Sequence, residues 1–141
     1  MKKVRRCGAI ILSCVALVAC QMDSRQQILA MESSQVALRA VQTRIYDVAY
    51  QHVTIRTIIA TLQDLGFTVD RVDRDLGIVS GTKVKDYQLR MTVTSRARGV
   101  AQTVVRANAQ FNIEAVSDAA PYQQFFNALE QAIFLERERV N

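Results

Sequence analysis

Four sets of residues have the types and spacing to do chemistry. The three cysteines, Cys7, Cys14 and Cys20, all fall in the first twenty positions. A thiol there can be a disulfide partner, a metal ligand, a nucleophile or an attachment point. His52 is the single histidine. Asp64, Asp70, Asp73 and Asp75 gather around one short stretch. Arg90, Arg96 and Arg106 recur in segments that alternate polar and apolar residues. The spacing argues against catalysis. A lone histidine at a helix start has no cysteine or second histidine beside it to complete a zinc site, and as a rule it is a surface or capping residue. No Gly-x-Ser-x-Gly elbow surrounds Ser80, Ser95 or Ser117. Gly66, Gly77, Gly81 and Gly99 fit no phosphate-binding loop. The aspartates lack the glycine and the terminal glutamate of an EF-hand loop. They read as turn formers neutralised by Arg71 and Arg74. The expectation is a non-enzymatic protein with no cofactor and no metal.

The N-terminus gives Cys20 its chemistry. Lys2, Lys3, Arg5 and Arg6 precede an apolar run from Gly8 to Val18. That run is shorter than the roughly 20 residues a membrane-spanning helix needs, and it has the flanks of a secretory signal. Leu17-Val18-Ala19-Cys20 then resembles the lipobox of bacterial lipoproteins. The resemblance implies residues 1–19 as a removed signal peptide. It further implies Cys20 as the lipidated first residue, carrying a diacylglyceryl thioether and an amide-linked acyl chain such as palmitate. Several acyl chains make attachment stable where one would be marginal. Gln21 in place of Asp implies the outer membrane, with the protein facing the periplasm. The plainer alternatives are a retained N-terminal membrane segment, or an ordinary signal with a chance cysteine.

Removal of Lys2, Lys3, Arg5 and Arg6 takes the formal charge from +5 to +1. The basic character therefore belongs to the signal, and nucleic acid is not an expected partner. Only Cys20 would remain of the cysteines, so packing alone must stabilise the fold.

Residues 20–40 read as a lipidated tether, of which residues 21–38 alone, fully extended, would reach up to about 60 Å from the membrane. Residues 41–141 are enough for one domain with its own core. Val41–Val48 reads as a strand. Gln51–Leu65 reads as a helix, with Ile55, Ile58, Ile59, Leu62 and Leu65 on one stripe, Thr57 off it, and Gly66 as its stop. Phe67–Val72 and Ile78–Lys83 form a hairpin around Asp73–Gly77. In Tyr87–Arg96, Tyr87, Leu89, Met91 and Val93 share the dry face. In 101–115, Thr103, Val105, Ala107, Ala109, Phe111 and Ile113 do so. Pro121 opens a last helix over Tyr122–Glu138, in which Phe126 is the aromatic expected to point outward. The order β-α-β-β-β-β-α predicts an α+β two-layer sandwich, an antiparallel sheet of four to five strands covered by two helices.

Two further resemblances sit on these elements. Leu62–Lys83, with its Leu-Gly-Phe stop, acidic turn and closing lysine, resembles the domains of BamC-type outer-membrane lipoproteins, which implies a helix-grip, TATA-binding-protein-like fold. Val41-Gln42-Thr43-Arg44 and Leu62–Phe67 are similar to segments of a family of uncharacterised proteobacterial lipoproteins. The second resemblance brings no known activity. A lipid anchor, a tether, a compact domain and no catalytic set together lead to the expectation of an envelope lipoprotein that binds a protein partner in assembly or secretion. The alternative is a helix-grip module holding a small apolar ligand or lipid above Ala101, Ala107 and Ala109. Arg90, Arg96 and Arg106, on the wet sheet face, are the candidate docking residues for an acidic partner, a glycan or a lipid headgroup. The plain alternative is a solvated face that discourages sheet stacking.

Overall fold

The computed structural model describes residues 34–84 and 88–140. Cys20 and the lipobox, and Tyr87, lie outside them. The chain divides into two compact units, Met1–Ala37 and Leu38–Asn141. Residues 34–41 are helical (α1). The second unit continues with β1 (Thr43–Tyr46), α2 (Gln51–Asp64), β2 (Thr68–Asp73), β3 (Ile78–Val84), β4 (Gln88–Arg98), β5 (Gln102–Phe111), β6 (Glu114–Ala115) and α3 (Ala120–Val140). Every pairing is antiparallel, in the order β1-β5-β4-β3-β2, with β6 also on β5. The α+β sandwich expected from the sequence is the fold. Beyond the expected two helices and five strands it has α1, which takes in Val41 and leaves β1 shorter than the expected Val41–Val48, and the two-residue β6.

α2 lies against β2, β3 and β4, and α3 lies against β5 and α2. The isoleucine stripe of α2 behaves as its period requires: Ile55, Ile58 and Leu62 are buried. Removing such a side chain typically costs about 2–5 kcal/mol. Thr57, expected off the stripe, is buried too. Its hydroxyl donates to the Val53 carbonyl at 3.0 Å, as Thr61 does to that of Thr57 at 2.8 Å. With the hydroxyl turned back on its own helix, the methyl is free to pack. α2 ends in a Schellman motif: Phe67 N–H donates to Leu62 O and Gly66 N–H to Gln63 O, each at 2.9 Å, with Gly66 at φ +82°. Lys83 Nζ reaches from β3 to cap Leu65 O at 2.8 Å.

Two expectations about apolar side chains are corrected. Ile113 does not continue the dry face of β5; it is 92% exposed. Asn112 adopts φ +53° and turns the chain back into β6, a conformation asparagine tolerates better than most residues. Phe126 does not point outward; it is 2% exposed. It meets Phe125 edge-on at 5.2 Å, and the Arg44 guanidinium lies 5.3 Å from its ring. Arg44 is held there by the carbonyls of Ala40 and Thr43, at 2.9 and 3.0 Å. The outward aromatic of α3 is Phe134 instead.

The space over the alanines of β5 is occupied. Tyr122, fully buried, places its hydroxyl among three partners. It donates to Val116 O at 2.7 Å and accepts from Ala109 N–H and from Gln42 Nε2, both at 3.2 Å. Ala107 and Ala109 are buried in the same core, whereas Ala101 is exposed in the β4–β5 turn.

Candidate docking face

Strand alternation places one set of side chains under the helices and the other in solvent. On β4 the helix side takes Met91, Val93 and Ser95, and on β5 it takes Thr103, Val105, Ala107 and Ala109. The open face therefore carries Arg90, Thr92, Thr94, Arg96 and Arg98 from β4, and Gln102, Val104, Arg106, Asn108 and Gln110 from β5. Register fixes their neighbours. Arg90 stands across from Gln110, Thr94 from Arg106, Arg96 from Val104 and Arg98 from Gln102.

This brings together two of the three expected docking residues. Arg96 and Arg106 are diagonal neighbours on one face. They line a depression of about 610 Å³ with Thr43, Thr94, Val104 and Asn108. Arg90 is six residues from Arg96 along β4, about 20 Å away. It lies across from Thr82 of β3. Arg98 was not among the expected docking residues, because the strand was expected to end at Arg96. The strand continues to Arg98, and the same alternation puts its side chain on this face.

The charges of the face are unbalanced. Arg71 pairs with Asp73 at 3.4 Å on β2, and Asp70 accepts a hydrogen bond from Thr82. Among the described residues, the guanidinium groups of Arg90, Arg96, Arg98 and Arg106 have no ion-pair or hydrogen-bond partner. The acids of the sheet nearest this face, Asp70 and Asp73, belong to β2 and are engaged there by Thr82 and Arg71, and on the helix layer Glu136 of α3 meets Arg56 and Arg139. The polar side chains between the arginines are neutral. Ser80 and Thr92 share a hydrogen bond at 3.3 Å, and Thr94 Oγ1 donates to the Arg106 carbonyl at 3.4 Å. Such a face attracts anions.

The remaining candidates fall elsewhere. His52 is exposed at the start of α2, its ring 5.7 Å from that of Tyr50. Asp73 serves its turn by accepting the Leu76 N–H at 2.9 Å. Among the described residues no cluster of His, Cys, Asp and Glu has the makings of a metal site, and no helix is long and apolar enough to cross a membrane. A second cavity, of about 400 Å³, opens between the start of α2 and the end of α3. Val48, Val53, Thr54, Thr57 and Ile133 line it, with Asp47, Glu136 and Arg137 at its charged side. Arg137 donates to the Asp47 carbonyl at 2.8 Å. Among the described residues the Thr54 hydroxyl is buried without a partner, as is that of Ser95 on β4. No protein-family model matches the chain, and no curated protein matches its sequence.

Proposed function

We propose that this chain is a lipid-anchored outer-membrane lipoprotein facing the periplasm, non-enzymatic, whose α+β domain binds an acidic protein partner in envelope assembly or a secretion apparatus. The observation that carries the docking role is the open β4–β5 face, with Arg90, Arg96 and Arg106 exposed and, among the described residues, without ion-pair partners. Facing charges of opposite sign steer encounter and fix register. Support for the anchor comes from Leu17-Val18-Ala19-Cys20 and the basic, apolar stretch before it. An anchor concentrates the domain at one surface and raises its effective concentration for partners there.

Two experiments test the parts separately. Palmitate labelling and density-gradient flotation compare the native chain with Cys20→Ala; label and outer-membrane flotation both disappear with the cysteine if it is the anchor. Capture from gently solubilised membranes compares the native chain with Arg106→Glu. A partner recovered equally well by both removes the arginine face from the proposal.

The cavity between α2 and α3 favours a second reading, a module for a small apolar ligand or lipid. Its apolar lining and buried, unpartnered Thr54 hydroxyl suit a small amphiphile. Native mass spectrometry of the purified protein would then show a bound lipid-sized mass that Val53→Phe diminishes.

A further inference from the structure

The β4–β5 hairpin combines features that the docking face alone does not require. Its strands are the two longest of the sheet, and its tip is Ala97-Arg98-Gly99-Val100-Ala101. Val100 is 95% exposed. Gly99 turns the chain at φ +63°, and a Cβ there would meet nothing within 4 Å among the described residues. Ala97 and Ala101 are exposed as well. Arg98 lies within this tip and Arg96 just before it, both on β4, and Arg106 follows on the same face; on the β5 side Gln102 donates to Asp47 Oδ1 at 2.8 Å. Between Asp86 and Glu114 the sequence holds these arginines and Arg90, and no acid. The Asn112–Ile113 turn is the useful contrast. Ile113 is nearly as exposed, yet Glu114 follows it directly.

We infer that the β4–β5 tip docks on an anionic phospholipid surface, with Val100 entering below the headgroups and Arg96 and Arg98 at the level of the phosphates. An exposed apolar residue with two arginines on the strand that leads into it suits an interface that is charged above and apolar beneath. An acidic protein surface would satisfy the arginines but gives no reason for an isolated valine at the apex. The attraction is electrostatic and short-ranged, falling off within a Debye length. The inference goes beyond the proposed partner role and does not depend on lipidation. Cys20 labelling and partner capture can fail while the tip docks, and the converse holds equally.

The chain contains no tryptophan, so Val100→Trp makes a unique fluorophore at an exposed turn. The full chain carrying this change is mixed with vesicles rich in phosphatidylglycerol, and separately with vesicles of phosphatidylcholine alone. The expected result is emission shifted to shorter wavelength on the anionic vesicles and reversed by salt. Ile113→Trp, the matched reporter, does not shift. Adding Arg96→Ala or Arg98→Ala to Val100→Trp weakens partition about five-fold each, the equivalent of about 1 kcal/mol per arginine. Three outcomes overturn the inference. Emission stays that of an exposed indole on anionic vesicles. Both lipids, or both reporters, shift alike, which marks nonspecific adsorption. Or polyglutamate perturbs Val100→Trp while the vesicles do not, which assigns the tip to an acidic protein.

Discussion

Arg96 and Arg106 are diagonal neighbours across the β4–β5 ladder, on the same open face, with no acid between them. Like charges at such positions oppose folding by a few tenths of a kcal/mol to about 1 kcal/mol. A face kept for solubility alone has no need of that repulsion, and a face that meets an anion does. Arg106→Gln should therefore leave the urea midpoint unchanged or slightly raised, by up to about 0.5 kcal/mol. The same change should lower capture of an acidic partner, and added salt should lower capture by the native chain. A destabilised Arg106→Gln protein with normal capture would mean that the arginine serves the fold.

Tyr122 joins three segments through one atom. Its hydroxyl holds the Gln42 side chain, the Ala109 amide and the Val116 carbonyl inside the core. Tyr122→Phe keeps the ring and removes only that oxygen, leaving buried donors and an acceptor without partners. The expected loss is about 2–4 kcal/mol, read as a lower urea midpoint at unchanged slope. A loss below about 0.5 kcal/mol would show that the three groups find other partners on relaxation.

Gly77 and Gly99 share a positive φ but not a setting. A Cβ on Gly77 would lie 2.2 Å from Ser95 O and 2.3 Å from Gln51 Nε2. Both neighbours are fixed, because Gln51 Nε2 donates to Ser95 O at 2.7 Å and Ser95 N–H to Gly77 O at 2.7 Å. At Gly99 the same Cβ meets open space. Gly99→Ala should cost only the left-handed backbone, about 1–2 kcal/mol. Gly77→Ala adds the collision and should cost distinctly more, about 3 kcal/mol or above. Thermal unfolding of the pair checks the ranking, and equal losses would refute the role given to the Gln51–Ser95 clamp.

The sequence was legible where one local rule acts alone. The α2 stop is an example: Leu62, Gly66 and Phe67 occupy the positions a Schellman motif needs, and the helix ends there. The open-face arginines were legible because alternation on β4 and β5 is uninterrupted. Their grouping was not, since register decides that Arg96 meets Arg106 while Arg90 stands apart. Ile113 was misread because a period-2 pattern cannot show that Asn112 reverses the chain. Phe126 was misread because its cover, Arg44, comes from a strand far away in sequence. Thr57 was misread because a hydroxyl counts as polar in a pattern, although a bond to its own helix satisfies it. In each case a contact beyond the local window overrode a sound local rule.

Tyr46 gives the fold a dependence on alkaline pH. It packs against the core from β1, and burial raises its phenol above the ordinary tyrosine range; the charge of Glu130 adds to this and Arg44 partly offsets it. The neutral phenol is thus the form the folded state accepts, while the unfolded chain releases its proton near pH 10. A group with its folded pKa raised contributes stability that is fully present below the unfolded value. Above pH 10 the unfolded state binds fewer protons than the native state, so stability falls as pH rises. Urea midpoints measured from neutral pH to pH 11 should decline above about pH 10. Tyr46→Phe removes the titrating group and should flatten that decline, while Tyr50→Phe, at an exposed position, should leave it in place. An alkaline decline of the same steepness in Tyr46→Phe would locate the effect elsewhere in the chain.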